Sequence, residues 1–130
     1  MNHDDFVQIE QVYALYGHLL DAGDFERMTE VFTEDCVVDE TGLGLGRSQG
    51  HPREMKAIVD RAIREGKQPV AHHQMNIVVV SEAGGTATCR AKAIGILPGG
   101  RAYTGDYVDE FVRLPEGWRI RQRMVAQPPH

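Results

Sequence analysis

No stretch of this sequence reads as a membrane span. A spanning helix needs about 20 consecutive apolar residues, and runs such as Ile77-Val78-Val79-Val80 end after four. The opening Met1-Asn-His-Asp-Asp-Phe is acidic where a secretory signal is basic, so the expected location is cytoplasmic, with no membrane partner. Cysteine is scarce. Cys36 and Cys89 lie in apolar, strand-like surroundings without CxxC spacing, and in a reducing compartment both are expected as small buried hydrophobes rather than a disulfide. Positive charge is scarce as well. The formal net charge is −5, and the one dense basic group is Arg119, Arg121 and Arg123. Their alternation along a predicted strand would put all three on one solvated or interface face. Nucleic acid, which needs a broad positive footprint, is not an expected partner.

What remains is an ordinary globular composition in 130 residues, which predicts a single domain spanning 1–130 with one core and room for one modest pocket. Residues 4–21 carry Phe6, Ile9, Val12-Tyr13, Tyr16 and Leu19-Leu20 at helical spacing, ended by Ala22-Gly23. Asp24 is then expected to cap a second helix through Phe25, Met28, Val31 and Phe32. Cys36–Glu40 reads as a strand and Thr41–Gly50 as a loop. That loop lacks both the GxGxxG frame and the terminal Gly-Lys-Ser/Thr of a phosphate cradle. Pro52 suits the first turn of a third helix over His51–Glu65. Four strands follow, Val70–Val80, Thr86–Leu97, Ala102–Leu114 and Trp118–Ala126, joined by tight turns, and Gln127–His130 is expected to fray. Helices first and a hairpin meander afterwards predict an α+β fold with a curved, mostly antiparallel sheet packed on N-terminal helices.

The chemistry concentrates in Tyr13-Ala-Leu-Tyr16-Gly-His18-Leu-Leu-Asp21, where a helix built only for packing would carry Leu or Ala in place of Asp21. A distant pair, His72-His73, could meet that carboxylate. Strand alternation groups His72, Gln74 and Asn76 on the more polar face, and His73, Met75 and Ile77 on the other. Because neighbouring histidines on a strand point apart, they cannot share one metal ion, and no metal is expected. Tyr13, Phe32, Met75, Phe111 and Trp118 read as core and as walls of an apolar pocket. Each polar residue has a plainer alternative: Asp21 as a turn acceptor, Tyr16 as a core tyrosine, and Asn76 bound to a neighbouring loop.

The collinear set Tyr16-x4-Asp21-Ala-Gly-Asp24-Phe25, Phe32-x2-Asp35-Cys-Val-Val, His72-His73-x2-Asn76, Gly85-Thr-Ala, Tyr107-x-Asp109-x-Phe111-Val-Arg and Gly117-Trp118-Arg-Ile resembles the SnoaL-like branch of the NTF2-like superfamily over nearly the whole chain. The resemblance implies a cone-shaped α+β fold, a homodimer through the sheet face, and chemistry without a cofactor. Two enzymatic patterns overlay it. The eliminating group, which includes scytalone dehydratase, bile-acid 7α-dehydratase and hexachlorocyclohexane dehydrochlorinase, implies Asp21 with His72, and its bile-acid member adds Tyr16 as a donor. The ketosteroid isomerase pattern implies Tyr16 and Asp109 as oxyanion donors, with Glu40 or Asp39 as base. Since neighbouring strand residues face opposite ways, only one of those two could serve.

The expected function is therefore proton transfer on a small hydrophobic substrate of aromatic, polyketide, terpenoid or steroid-like character, foremost a dehydratase-type elimination. His72 would act as base, held in one tautomer by Asp21, and Tyr16 would stabilise the developing oxyanion or departing hydroxyl. Isomerase or cyclase chemistry, and a non-catalytic ligand-binding cone, are the alternatives.

Overall fold

The computed structural model describes residues 1–49 and 54–128 in full, and the backbone at 52 and 53. The expected helix start at His51 and the end of the expected frayed tail, Pro129 and His130, lie outside the described residues. Helix α1 covers His3–Ala22. The Asn2 side chain caps it by accepting the Asp5 N–H at 2.8 Å, and Gly23, at φ 70, closes it. Ile9, Val12, Tyr13, Tyr16, Leu19 and Leu20 form its buried stripe. Near its start, Asp5 reaches back to the end of the sheet. Its carboxylate accepts the Trp118 indole N–H at 2.9 Å and an Arg113 N–H at 2.6 Å.

The expected second helix is only a 3-10 helix, Glu26–Glu30. Asp24 does not cap it. Phe25 occupies the cap position and makes no side-chain hydrogen bond, and strand β1 (Phe32–Gly42) begins two residues after the helix ends. Too little chain separates Gly23 from β1 for the costly first turn of an α-helix to propagate. The expected loop at Thr41–Gly50 contains a further strand, β2 (Arg47–Gln49), folded back antiparallel on β1 through a turn at Leu43–Gly46. Helix α2 spans Pro52–Arg64. Four long strands complete the fold: β3 (Ala71–Ala83), β4 (Thr86–Ile96), β5 (Ala102–Leu114) and β6 (Gly117–Ala126).

The six strands form one curved sheet in the order β2-β1-β6-β5-β4-β3. Every pairing is antiparallel except β1 with β6. The inward faces of β4, β5 and β6 supply Ala87, Cys89, Ala91, Phe111, Trp118 and Ile120 to the core beneath α1. Cys36 and Cys89 are buried and form no disulfide, and burial pushes both thiols up to about 12. Among the described residues, no helix is long and apolar enough to cross a membrane.

Of the register slips in the sheet, two change where candidate residues point. In β3 the register slips between Met75 and Val78, and Asn76 there adopts φ 56, a left-handed conformation that Asn tolerates better than most residues. The slip leaves Asn76 exposed and packs Ile77 and Val79 against the core, so the polar row His72, Gln74, Asn76 ends at Gln74. In β6 the register slips opposite Glu110 and Phe111, leaving Arg121 and Gln122 both exposed. Arg123 is thereby turned inward and is 0% exposed, while Arg119 and Arg121 stay on the outer side. The three arginines do not share a face.

The Asp5 cluster gives a pH-dependent test of the packing. The Trp118 indole N–H, helped by Arg113, holds the Asp5 carboxyl below its ordinary value. A depressed folded-state value stabilises above the unfolded pKa of about 3.9 and is lost as pH falls through the folded one. Asp5→Asn should therefore lower the thermal midpoint at pH 7, and the gap to wild type should close in titrations taken down to acid pH. A gap that stays constant with pH would show that the Asp5 charge contributes nothing.

Candidate active site

The concave side of the sheet, α1 and α2 enclose a cavity of about 370 Å³. Its walls are largely apolar, including Leu20, Val38, Met55, Ile58 and Val125. Polar groups enter at defined places: Tyr16 from α1, Glu40 from β1, His72 from β3, and Tyr103 and Tyr107 from β5. Leu43–Gly46 form part of the rim, so the glycine-rich turn borders the cavity.

Asp21 and His72, 51 residues apart, meet at the edge of this cavity. The Asp21 Oδ1 lies 2.6 Å from His72 Nδ1, and Oδ2 accepts the backbone N–H of the same histidine at 3.1 Å. Both carboxylate oxygens therefore bind one residue, which fixes the ring as well as its strand. The His72 side chain is 10% exposed and that of Asp21 30%; Asp21 faces a second, shallower cleft lined by Gly17, His18 and His72–Met75. The ring thus lies between cleft and cavity. Its Nε2 has no hydrogen-bond partner among the described residues.

The approach of β3 to α1 depends on Gly17, one helical turn before Asp21. A Cβ at Gly17 would sit 2.9 Å from the His72 carbonyl oxygen and 3.2 Å from Gln74 Oε1. A larger residue would hold the strand away from the carboxylate.

Tyr16 is nearly buried, edge-on to Phe32 and to Tyr107 with ring centres 5.7 and 6.3 Å away. Burial, reinforced by Tyr107, raises its hydroxyl well above the ordinary range. Burial likewise pushes Tyr107 up to about 12. Both phenols stay protonated donors at neutral pH. Under them lies Arg123, its guanidinium 4.5 Å from the Tyr16 ring centre and 4.0 Å from that of Tyr107. Burial works against that charge and Asp109 more than restores it, so Arg123 remains a cation.

The remaining candidates separate cleanly. Asp109 is fully buried, with Oδ1 2.8 Å from Arg123 Nε and Oδ2 3.0 Å from Nη2. The Tyr13 hydroxyl donates to the same carboxylate at 2.6 Å; neither residue lines the cavity. Glu40 lines the cavity, and burial raises its carboxyl against the opposing pull of Arg123. Asp39 pairs with the outward-facing Met124 in the sheet and accepts the Thr41 N–H and hydroxyl at 3.0 and 2.6 Å. His73 is exposed beside the shallow cleft, and Asn76 is exposed at the bulge. Strand alternation alone points Arg123 outward; only the bulge turns it in. Among the described residues, no three His, Cys, Asp or Glu side chains cluster as a metal site.

Replacing Gly17 tests this arrangement. Helix propensity alone would favour Gly17→Ala by about 1 kcal/mol, but overpacking costs about 1–3 kcal/mol. The variant should be destabilised by up to about 2 kcal/mol in denaturant titrations, with a lengthened Asp21–His72 contact in its crystal structure. A more stable protein with the contact intact would contradict the close-approach role.

Comparison with known proteins agrees with this fold. Residues 3–124 match the SnoaL-like domain family. An uncharacterized protein of Mycobacterium tuberculosis is 29% identical over 133 residues, covering 95% of this chain and 85% of that protein. Among solved structures, an NTF2-like protein with a cystatin-like fold from Novosphingobium aromaticivorans superposes with a TM-score of 0.78 at 27% identity, covering 97% of this chain and 83% of that one. A protein from the same organism, named as a candidate scytalone dehydratase, superposes at 0.67 with 22% identity, covering 92% and 81%. By its sequence and its fold, the chain belongs to the SnoaL-like family of the NTF2-like superfamily.

Proposed function

We propose that this protein is a proton-transfer enzyme of the dehydratase type, acting on a small hydrophobic ring compound of aromatic, polyketide, terpenoid or steroid-like character. One observation carries the reading. Asp21 binds His72 through both oxygens and leaves Nε2 of a mostly buried imidazole as the unengaged nitrogen beside an apolar cavity. A scytalone dehydratase name among the structural neighbours is consistent with it.

The chemistry follows from the side chains. Nε2 takes a proton from the carbon next to the one bearing the hydroxyl, while Nδ1 keeps its own proton, donated to Asp21, whose charge stabilises the imidazolium. Tyr16 donates to the oxygen on which charge develops, a carbonyl that becomes an enolate or the departing hydroxyl. The C–O bond breaks as the carbon–carbon double bond forms. The proton on His72 leaves with the hydroxyl as water, so the dyad returns to its starting state and no co-reactant is consumed. Apolar walls exclude bulk water and strengthen each of these hydrogen bonds.

Isomerisation or cyclisation is the second reading, and Glu40 is the observation that favours it. A carboxyl raised by burial, in the same cavity as Tyr16, has the properties of a general base for moving a proton between two carbons. In that reading Asp109 does not serve as a neutral donor, since Arg123 engages both its oxygens.

A thermal-shift screen of hydroxy- and keto-polycyclic compounds would identify ligands, because binding the native state raises its stability. With a hit in hand, His72→Ala should lower turnover by about 10²–10⁴-fold while ligand binding persists, and Glu40→Gln should retain most activity. Full activity in the His72 variant would overturn the elimination mechanism. Loss confined to the Glu40 variant would favour isomerase chemistry, and ligands that bind without reacting would favour a binding module.

A further inference from the structure

The inward faces of β3, β4 and β5 bring His72, Gly95 and Tyr103 into one row across the sheet, as consecutive cross-strand partners. All three line the cavity. Strands lie about 4.7–4.9 Å apart, so His72 and Tyr103 are separated by roughly twice that spacing, with Gly95 between them. The glycine is what the tyrosine uses. A Cβ built at Gly95 would sit 2.7 Å from Cε1 and Cζ of the Tyr103 ring and 2.9 Å from its hydroxyl oxygen. The phenol therefore lies back over β4, its hydroxyl above the strand next to His72. Any other residue at position 95 would push the ring off that place.

The Tyr103 hydroxyl makes no hydrogen bond to the protein among the described residues. Partial burial, with the nearby Glu40 charge, raises it above its ordinary range, so it is a protonated donor at neutral pH. A phenol laid flat on glycine is an apolar plate with a single polar corner. Tyr16 already supplies one donor from the helix side of the cavity. Phenol donors at two places in the cavity, Tyr103 at one and the neighbouring Tyr16 and Tyr107 at the other, suit a thin ligand carrying oxygen at two positions.

We propose that Tyr103, held over Gly95, is a substrate-contacting, specificity-determining residue that selects flat ring compounds bearing two oxygen substituents. The inference deepens the proton-transfer reading by taking the same cavity as the substrate site and naming its substrate class. It makes no use of the His72 proton.

Two commercial probes, 2-naphthol and naphthalene-2,7-diol, differ by one hydroxyl on the same flat frame. In calorimetric titrations the wild-type protein should bind the diol about fivefold to tenfold more tightly, the worth of one neutral hydrogen bond. Tyr103→Phe keeps the ring and removes only the hydroxyl. It should bind both probes with the affinity that wild type shows for 2-naphthol. Gly95→Ala should weaken both probes by displacing the ring, with fold confirmed by circular dichroism. A diol preference that survives in Tyr103→Phe would overturn the proposal. Absence of any preference in wild type, or no binding of either probe, would do the same. A protein that discriminates the probes yet never eliminates water would keep this inference and lose the proton-transfer reading. One that eliminates water without discriminating them would do the reverse.

Discussion

A fully buried arginine sets the terms for the cavity floor. Arg123 has no exposed surface, and a desolvated guanidinium is stable only when its charge is matched and its N–H groups are engaged. Asp109 takes two of them, Tyr13 holds Asp109 from the far side, and the faces of Tyr16 and Tyr107 receive the cation. Nη1 has no partner. The floor is therefore ionic but self-neutralised, and the groups it presents upward to the cavity are neutral phenols. Shifting β6 by one residue would place Arg123 outside and Gln122 within, leaving Asp109 buried without a counter-charge.

Above that floor the geometry is set by where side chains are missing. Gly17 lets β3 come close enough to α1 for one carboxylate to hold both the ring and the backbone of His72. Gly95 lets the Tyr103 ring lie against β4. Conformational freedom is not the point at either position. Each gives up a side chain so that another can occupy its space, and each lies beside a polar group of the cavity.

This explains which parts of the molecule could be read from the chain. Periodicity gave α1, and turn residues gave the four long strands, because those signals are local. The resemblance to the SnoaL-like pattern implies that Tyr16, Asp21 and His72 converge on one site, and the register of β1 decides between Glu40 and Asp39. Asp24 and an apolar stripe resemble the start of a full second helix, while the short path from Gly23 to β1 that limits it to one 3-10 stretch is a tertiary constraint. Both bulges were invisible for a related reason. A one-residue slip depends on what the neighbouring strand and the core demand, and it reverses every side chain beyond it. Arg123 and Asn76 each lie at or just beyond such a slip.

Family membership establishes the cone, and the functional claim rests on how its polar groups are arranged. Three phenols raised by burial or by neighbouring charge are donors, burial raises the Glu40 carboxyl, and one imidazole is fixed by a carboxylate. The central claim is that Asp21 locks His72 in the tautomer with its proton on Nδ1. Long-range ¹H–¹⁵N correlation spectra of the ¹⁵N-labelled protein at neutral pH read this directly. A protonated Nδ1 and an unprotonated Nε2 are expected for His72, a pattern that Asp21→Asn abolishes. A His72 ring protonated on Nε2, or one whose spectrum is indifferent to Asp21→Asn, would contradict it.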